Sequence, residues 1–116
     1  MAIVNITVEN DADFYRQFAY QTVDGLPIDL TGNTLRMGLR RHAQDAAEEL
    51  LLTTENGALV IIDPTNGKFT VQITQDQLVH LDLGDYDHSL VRFITGTTQR
   101  YRIWSGTLTN NPGASR

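Results

Sequence analysis

The chain has 116 residues, a mass of 13.0 kDa, nine basic and fourteen acidic side chains, a net charge of −5 and no cysteine. Its length suits a single domain, which buries about two-thirds of the unfolded chain's surface and so builds one core without staples. The lack of cysteine excludes disulfide frameworks, thiolate metal sites and cysteine nucleophiles, and the acidic balance argues against a nucleic-acid partner, whose phosphates call for clustered Lys and Arg.

The apolar period is two along most of the chain. Val4, Ile6 and Val8 alternate with Asn5 and Thr7. The same alternation recurs in Leu35, Met37 and Leu39, and in Phe69, Val71 and Ile73. One dry and one wet face per strand is the mark of antiparallel sheets. Further strands are expected near Asp13–Thr22, Glu49–Thr54, Ala58–Ile62, Asp85–Thr95 and Arg100–Thr109, about eight in all. Asp24-Gly25, Asn56-Gly57 and Asn66-Gly67 are dipeptides that close tight hairpins, and Gly96 suits a slightly longer one.

Two stretches break the pattern. Thr74-Gln75-Asp76-Gln77 has the form of a capping box ahead of Leu78 and Leu81, which predicts one short helical turn over 74–81 ended by Gly84. His42–Glu49 is alanine-rich but too short for an independent helix, so a loop is expected there, with room for one turn. Together these features predict an all-β, antiparallel β-sandwich, immunoglobulin-like or closed as a flattened barrel. It would occupy residues 1–109, with 110–116 as a flexible tail rich in Asn, Pro, Gly and Ser. No membrane partner and no leader segment are expected, since no apolar run is long enough to span and the first ten residues lack a charged region and a cleavage motif.

Eight of the nine basic residues are Arg; Lys68 is the exception. Arg36 and Arg40 share one strand face with Arg41 adjoining, and Arg100 and Arg102 share another. Arg favours protein interfaces because its planar fork meets carboxylates bidentately, so these five are the candidate contact residues. The alternative reading of the same arginines is a solvated face paired with the many Asp side chains.

The ionisable cluster Asp82, Asp85, Asp87 and His88, with His80 upstream, has the donors for a cation but not the spacing of a calcium loop. Neither a metal nor a cofactor is expected. No serine lies in a nucleophile elbow, and adjacent Glu48 and Glu49 would point to opposite faces if extended. No catalytic constellation assembles, and an enzyme is not expected. Phe14, Phe18 and Tyr20 share core parity, which leaves Tyr15 and Trp104 as aromatics for a carbohydrate-stacking platform, the alternative function.

Several stretches together resemble a family of small phage and prophage tail proteins. They are Asp13-Phe14…Phe18…Tyr20, Asp24-Gly25-Leu26-Pro27-Ile28-Asp29-Leu30-Thr31-Gly32 and Thr34-Leu35-Arg36-Met37-Gly38-Leu39-Arg40. Leu51–Gly57, Gly67–Ile73 and Leu78…Leu81…Gly84-Asp85-Tyr86-Asp87-His88-Ser89-Leu90 continue the likeness, which covers residues 13–109. His88 and Ser89 depart from it, standing where the pattern usually has Tyr and Asp. The N-terminal domain of phage baseplate upper proteins is similar. The resemblance implies a β-sandwich serving as a structural or adaptor part of a tail, baseplate or fibre attachment. Its partners would be other phage structural proteins and further copies of itself, and it would be a virion component made in the bacterial cytoplasm. The resemblance carries no site residue onto this chain. Arg-rich faces opposed to Asp-rich ones would suit a heterologous ring, one patch meeting a different patch on the neighbour.

Overall fold

The computed structural model describes residues 2–22 and 24–115. Two sheets face one another. The larger is built from β1 (Ala2–Ile3), β2 (Ile6–Glu9), β4 (Asn33–Arg40), β5 (Leu50–Thr53), β8 (Gly84–Ile94) and β9 (Arg100–Asn111). Its order is β1-β9-β8-β4-β5, with β2 also on β9. The smaller sheet runs β3-β7-β6, from β3 (Phe14–Ala19), β7 (Lys68–Ile73) and β6 (Leu59–Asp63). The architecture is the expected β-sandwich, with nine strands where alternation suggested about eight.

The extra strand arises at the N-terminal segment, where β1 and β2 are separated by Val4-Asn5. Both pair with β9 in parallel, so the larger sheet is mixed. At the break the Val4 carbonyl lies directly over Gly106, where a Cβ would overlap it. The Asn5 side chain continues the pairing by accepting from the Thr107 N–H at 3.1 Å. A parallel pairing of this kind is invisible to a period-two pattern, which reports faces and not neighbours.

Alternation places Leu35, Met37, Leu39, Tyr86 and Leu90 inward from the larger sheet, opposite Leu59, Phe69, Val71 and Ile73 of the smaller. At one end α1 (Gln75–Val79) presses Leu78 into the core. It starts on the capping box read from the sequence: Thr74 accepts from the Gln77 N–H while Gln77 accepts from that of Thr74. The helix stops at His80 and not at Gly84, which instead opens β8. The 42–49 stretch is a loop without a helical turn, held by Asp45, whose carboxylate accepts from the His42 N–H.

The last strand continues past residue 109. Asn110 and Asn111 complete β9, and the buried Asn110 amide donates to the carbonyls of Leu78 and Leu81, both at 3.1 Å. The Gly113 N–H donates to Asn10 Oδ1 at 2.8 Å. Polar composition suggested a flexible tail from 110, but β9 runs to Asn111 and the Asn110 side chain satisfies carbonyls at and just after the end of α1, so it belongs to the core's polar closure. Arg116 lies outside the described residues.

Candidate functional site

The outer face of the larger sheet carries a groove of about 900 Å³. Strand register sets its floor. Thr34–Phe93–Arg100 form one cross-strand row, followed by Arg36–Val91–Arg102 and Gly38–Ser89–Ser105. Next come Arg40–Asp87–Thr107 and, beyond the groove, Asp85–Thr109. β4 and β9 both flank β8, so Arg36, Arg40, Arg100 and Arg102 line one groove. Sequence alternation placed them on two faces. Parity within a strand was legible, whereas the strand order that merges the pairs was not.

The two sides of the groove differ electrostatically. On the β4 side Glu48 lies over Gly38, its carboxylate filling the space a Cβ would take there. It sits 2.5 Å from Arg36 Nη2 and 3.8 Å from Arg40 Nη2. Arg40 also donates to the carbonyls of Asp45 and Ala46 at 3.0 and 2.8 Å. The sequence reading weighed Glu48 only as half of an adjacent carboxylate pair with Glu49, not as a partner of these arginines. Glu48 comes from the 42–49 loop, whose path no local pattern specifies. On the β9 side no carboxylate pairs with Arg100 or Arg102 among the described residues. Arg100 stacks over the Phe93 ring at 4.6 Å. Both arginines are exposed.

Arg41 faces elsewhere. Its fork donates to the carbonyls of Leu83 and Asp85 at 2.8 and 3.1 Å and its charge lies 4.4 Å from the Tyr86 ring centre. It ties the connection after α1 to β8. The Tyr86 hydroxyl donates to the Asp82 carbonyl at 2.5 Å, and burial pushes its ionisation above the ordinary tyrosine value.

Asp82, Asp85, Asp87 and His88 do not converge. Asp85 accepts from the Thr109 hydroxyl at 2.7 Å and Asp87 from the Ala43 N–H at 3.0 Å, both on the outer face. His88 points inward between the sheets. No group of three metal-ligating side chains forms among the described residues. His88 is buried, 3.2 Å from the Thr107 carbonyl through Nε2, while Nδ1 has no hydrogen-bond partner among the described residues. Burial holds its imidazole below the ordinary value near 6.5, against the opposing pull of the Thr107 and Val4 backbone and Asp87.

The sign of the pH effect follows from that depression. The unfolded chain binds a proton near pH 6.5 and the folded chain resists it, so His88's contribution is complete above 6.5. It is lost as pH falls through the folded value, at up to about 1.4 kcal/mol per pH unit. Urea unfolding of wild type and His88→Phe at pH 7.5 and 5.5 checks this: the variant should lose less stability between the two.

Of the two aromatics proposed for sugar stacking, Tyr15 is exposed on the smaller sheet. Trp104 is not available, being 4 % exposed and packed against Phe18 and Phe69 at ring-centre distances of 4.6 and 5.7 Å. Its inward orientation comes from a bulge. Leu90 pairs with Trp104 but Val91 pairs with Arg102, so Ile103 is an extra residue and parity reverses there.

The geometry therefore defines a two-sheet β-sandwich with an arginine-bearing groove on one open sheet face. Among solved structures the chain is similar to the N-terminal domain of phage TP901-1 ORF48, with 17% identity and a TM-score of 0.47, covering 96% of this chain and 84% of that one. It is also similar to the Ig1 domain of mouse SynCAM 2, with 14% identity and a TM-score of 0.43, covering 94% and 92%. No family model and no curated protein matches the chain. Among the described residues no helix is long and apolar enough to cross a membrane.

Proposed function

We propose that this chain is a non-enzymatic structural or assembly module of a phage or prophage particle, in a tail, baseplate or fibre attachment, acting through protein–protein contacts. The observation that carries the reading is the groove, in which four of the chain's nine basic residues meet on one open sheet face. Two of those four have no carboxylate partner among the described residues. An unpaired guanidinium on a chain of net charge −5 is a site for a carboxylate from another protein, since Arg forms bidentate bonds that fix orientation as well as affinity. The resemblance of residues 13–109 to small phage tail proteins supports the particle context.

The test is mass spectrometry and antibody labelling of particles purified from the strain that encodes the chain. The chain should co-purify with particles at a fixed stoichiometry. Its consistent absence from them, with the chain present in the lysate, would overturn the reading.

A further inference from the structure

The outer face of the larger sheet has a charge order along its strands. β8 presents Asp85, Asp87, Ser89, Val91 and Phe93 outward, and β9 flanks the last two with Arg102 and Arg100. On β8 and β9 one end of the face is therefore acidic and the other basic, and the row between them is small there, Ser89 and Ser105, continued by Ile3 on β1; on β4 the same row carries Gly38 with the Glu48 carboxylate seated over it. Ile3 is 77% exposed, the highest value among the large apolar side chains described as exposed.

Over β8 and β9 such a face is complementary to itself. A two-fold axis running across the strands along the small row places each row of one copy over the row equally far on the other side. Arg102 then falls over the Asp87–Thr107 row of the second copy, and Arg100 over its Asp85–Thr109 row. Ile3 lies on the axis and meets its own copy. The β4 side is the less favourable one, because it faces the same Arg36–Glu48–Arg40 cluster, but Glu48 already offsets one of the two cations there. An axis along the strands would instead set Arg102 over Arg36, like charge on like.

From this geometry we infer that a second copy of this chain docks on the groove face to face, as an isologous dimer held by Arg100 and Arg102 of each copy against Asp85 and Asp87 of the other. The inference rests on the reading of the groove as a protein-contact surface, and it replaces the heterologous ring expected from the sequence: the basic and acidic patches lie on one face, so a closed pair satisfies both. Four spacings of about 4.8 Å across the five strands and four of about 6.8 Å along the five rows give a footprint on the order of 520 Å² per copy. That is somewhat below the ~800 Å² of a standard interface, so a weak, salt-sensitive dimer is expected.

The experiment is sedimentation velocity of the full chain over a hundredfold concentration range, at low and high salt. Two charge-reversed variants accompany it, Arg100→Glu/Arg102→Glu and Asp85→Lys, each checked for wild-type circular dichroism and melting. The wild type should form a dimer that weakens with salt. Each variant alone should dimerise at least about tenfold more weakly, and an equimolar mixture of the two should restore a dimer and nothing larger. The salt dependence of the wild type stands as a readout if a variant fails to fold. A wild type that remains monomeric throughout, a dimer indifferent to both variants, or assemblies growing beyond a dimer would each overturn the inference. None of these three outcomes bears on whether the chain is found in particles, which is the separate test of the proposed function.

Discussion

Replacing Gly67 by Ala is expected to cost the fold about 3 kcal/mol or more. Gly67 has φ +67° where it caps the 3-10 turn Pro64–Asn66, a conformation that costs a residue with a Cβ roughly 1–2 kcal/mol. It is also crowded: an added Cβ would lie 2.5 Å from the Ile28 carbonyl oxygen and 2.6 Å from that of Tyr20. Backbone cannot swing aside as a side chain can, and overpacking of this kind adds about 1–3 kcal/mol. The surrounding ladder depends on the same approach, since the Tyr20 N–H donates to the Gly67 carbonyl at 2.8 Å and the Ile28 N–H to that of Tyr20 at 3.0 Å. Gly57→Ala is the internal control. Its φ is +80° but nothing lies within 4 Å of the added Cβ, so the conformational cost alone should appear. Urea midpoints of the two variants separate the contributions, and equal shifts would show that the close approach has no energetic weight.

Trp104→Ala should destabilise the protein by about 3–5 kcal/mol, the range for removing a large buried aromatic. The ring lies between the two sheets, edge-on to Phe18 and tilted against Phe69, so its loss opens a cavity where the sheets meet. Against the roughly 5–15 kcal/mol of a typical domain, that is enough to leave a large unfolded fraction. Trp104→Phe should lose less, because it keeps a ring and removes an indole N–H that has no partner among the described residues. Circular dichroism in urea measures both. Trp104 is the chain's one tryptophan, so wild-type fluorescence gives an independent reading: buried in the native state, it should shift to longer wavelength on unfolding. Emission already at long wavelength in the folded protein would mean that the ring faces water and that a stacking platform is open after all.

Much of the fold was written locally. Alternation in Leu35–Leu39 and Phe69–Ile73 named the dry faces, because successive side chains on a strand point to opposite sides whatever lies next to the strand. The turn glycines Gly25, Gly57 and Gly67 all adopt positive φ, as their Asp-Gly and Asn-Gly settings implied. Thr74 and Gln77 announced the helix start because a capping box is complete within four residues.

The candidate site is a different matter, because each of its defining features is non-local. Arg36 and Arg40 are about sixty residues from Arg100 and Arg102, and they meet only because β8 is laid between β4 and β9. Trp104 shares strict alternation with Arg100 and Arg102, and the single residue inserted at Ile103 turns it inward while leaving them outside. Glu48 reaches the groove from a loop, across a glycine that leaves room for it. Asn110 reads as tail composition and serves as a core hydrogen-bond donor once α1 has placed two carbonyls beside it. Sequence by itself determined the period, the turns and the all-β class, since these follow from the steric preferences of neighbouring residues. Tertiary structure alone decided strand order, the bulge and the shared arginine face. Those depend on which distant segments pair, and a period of two is the same for every partner.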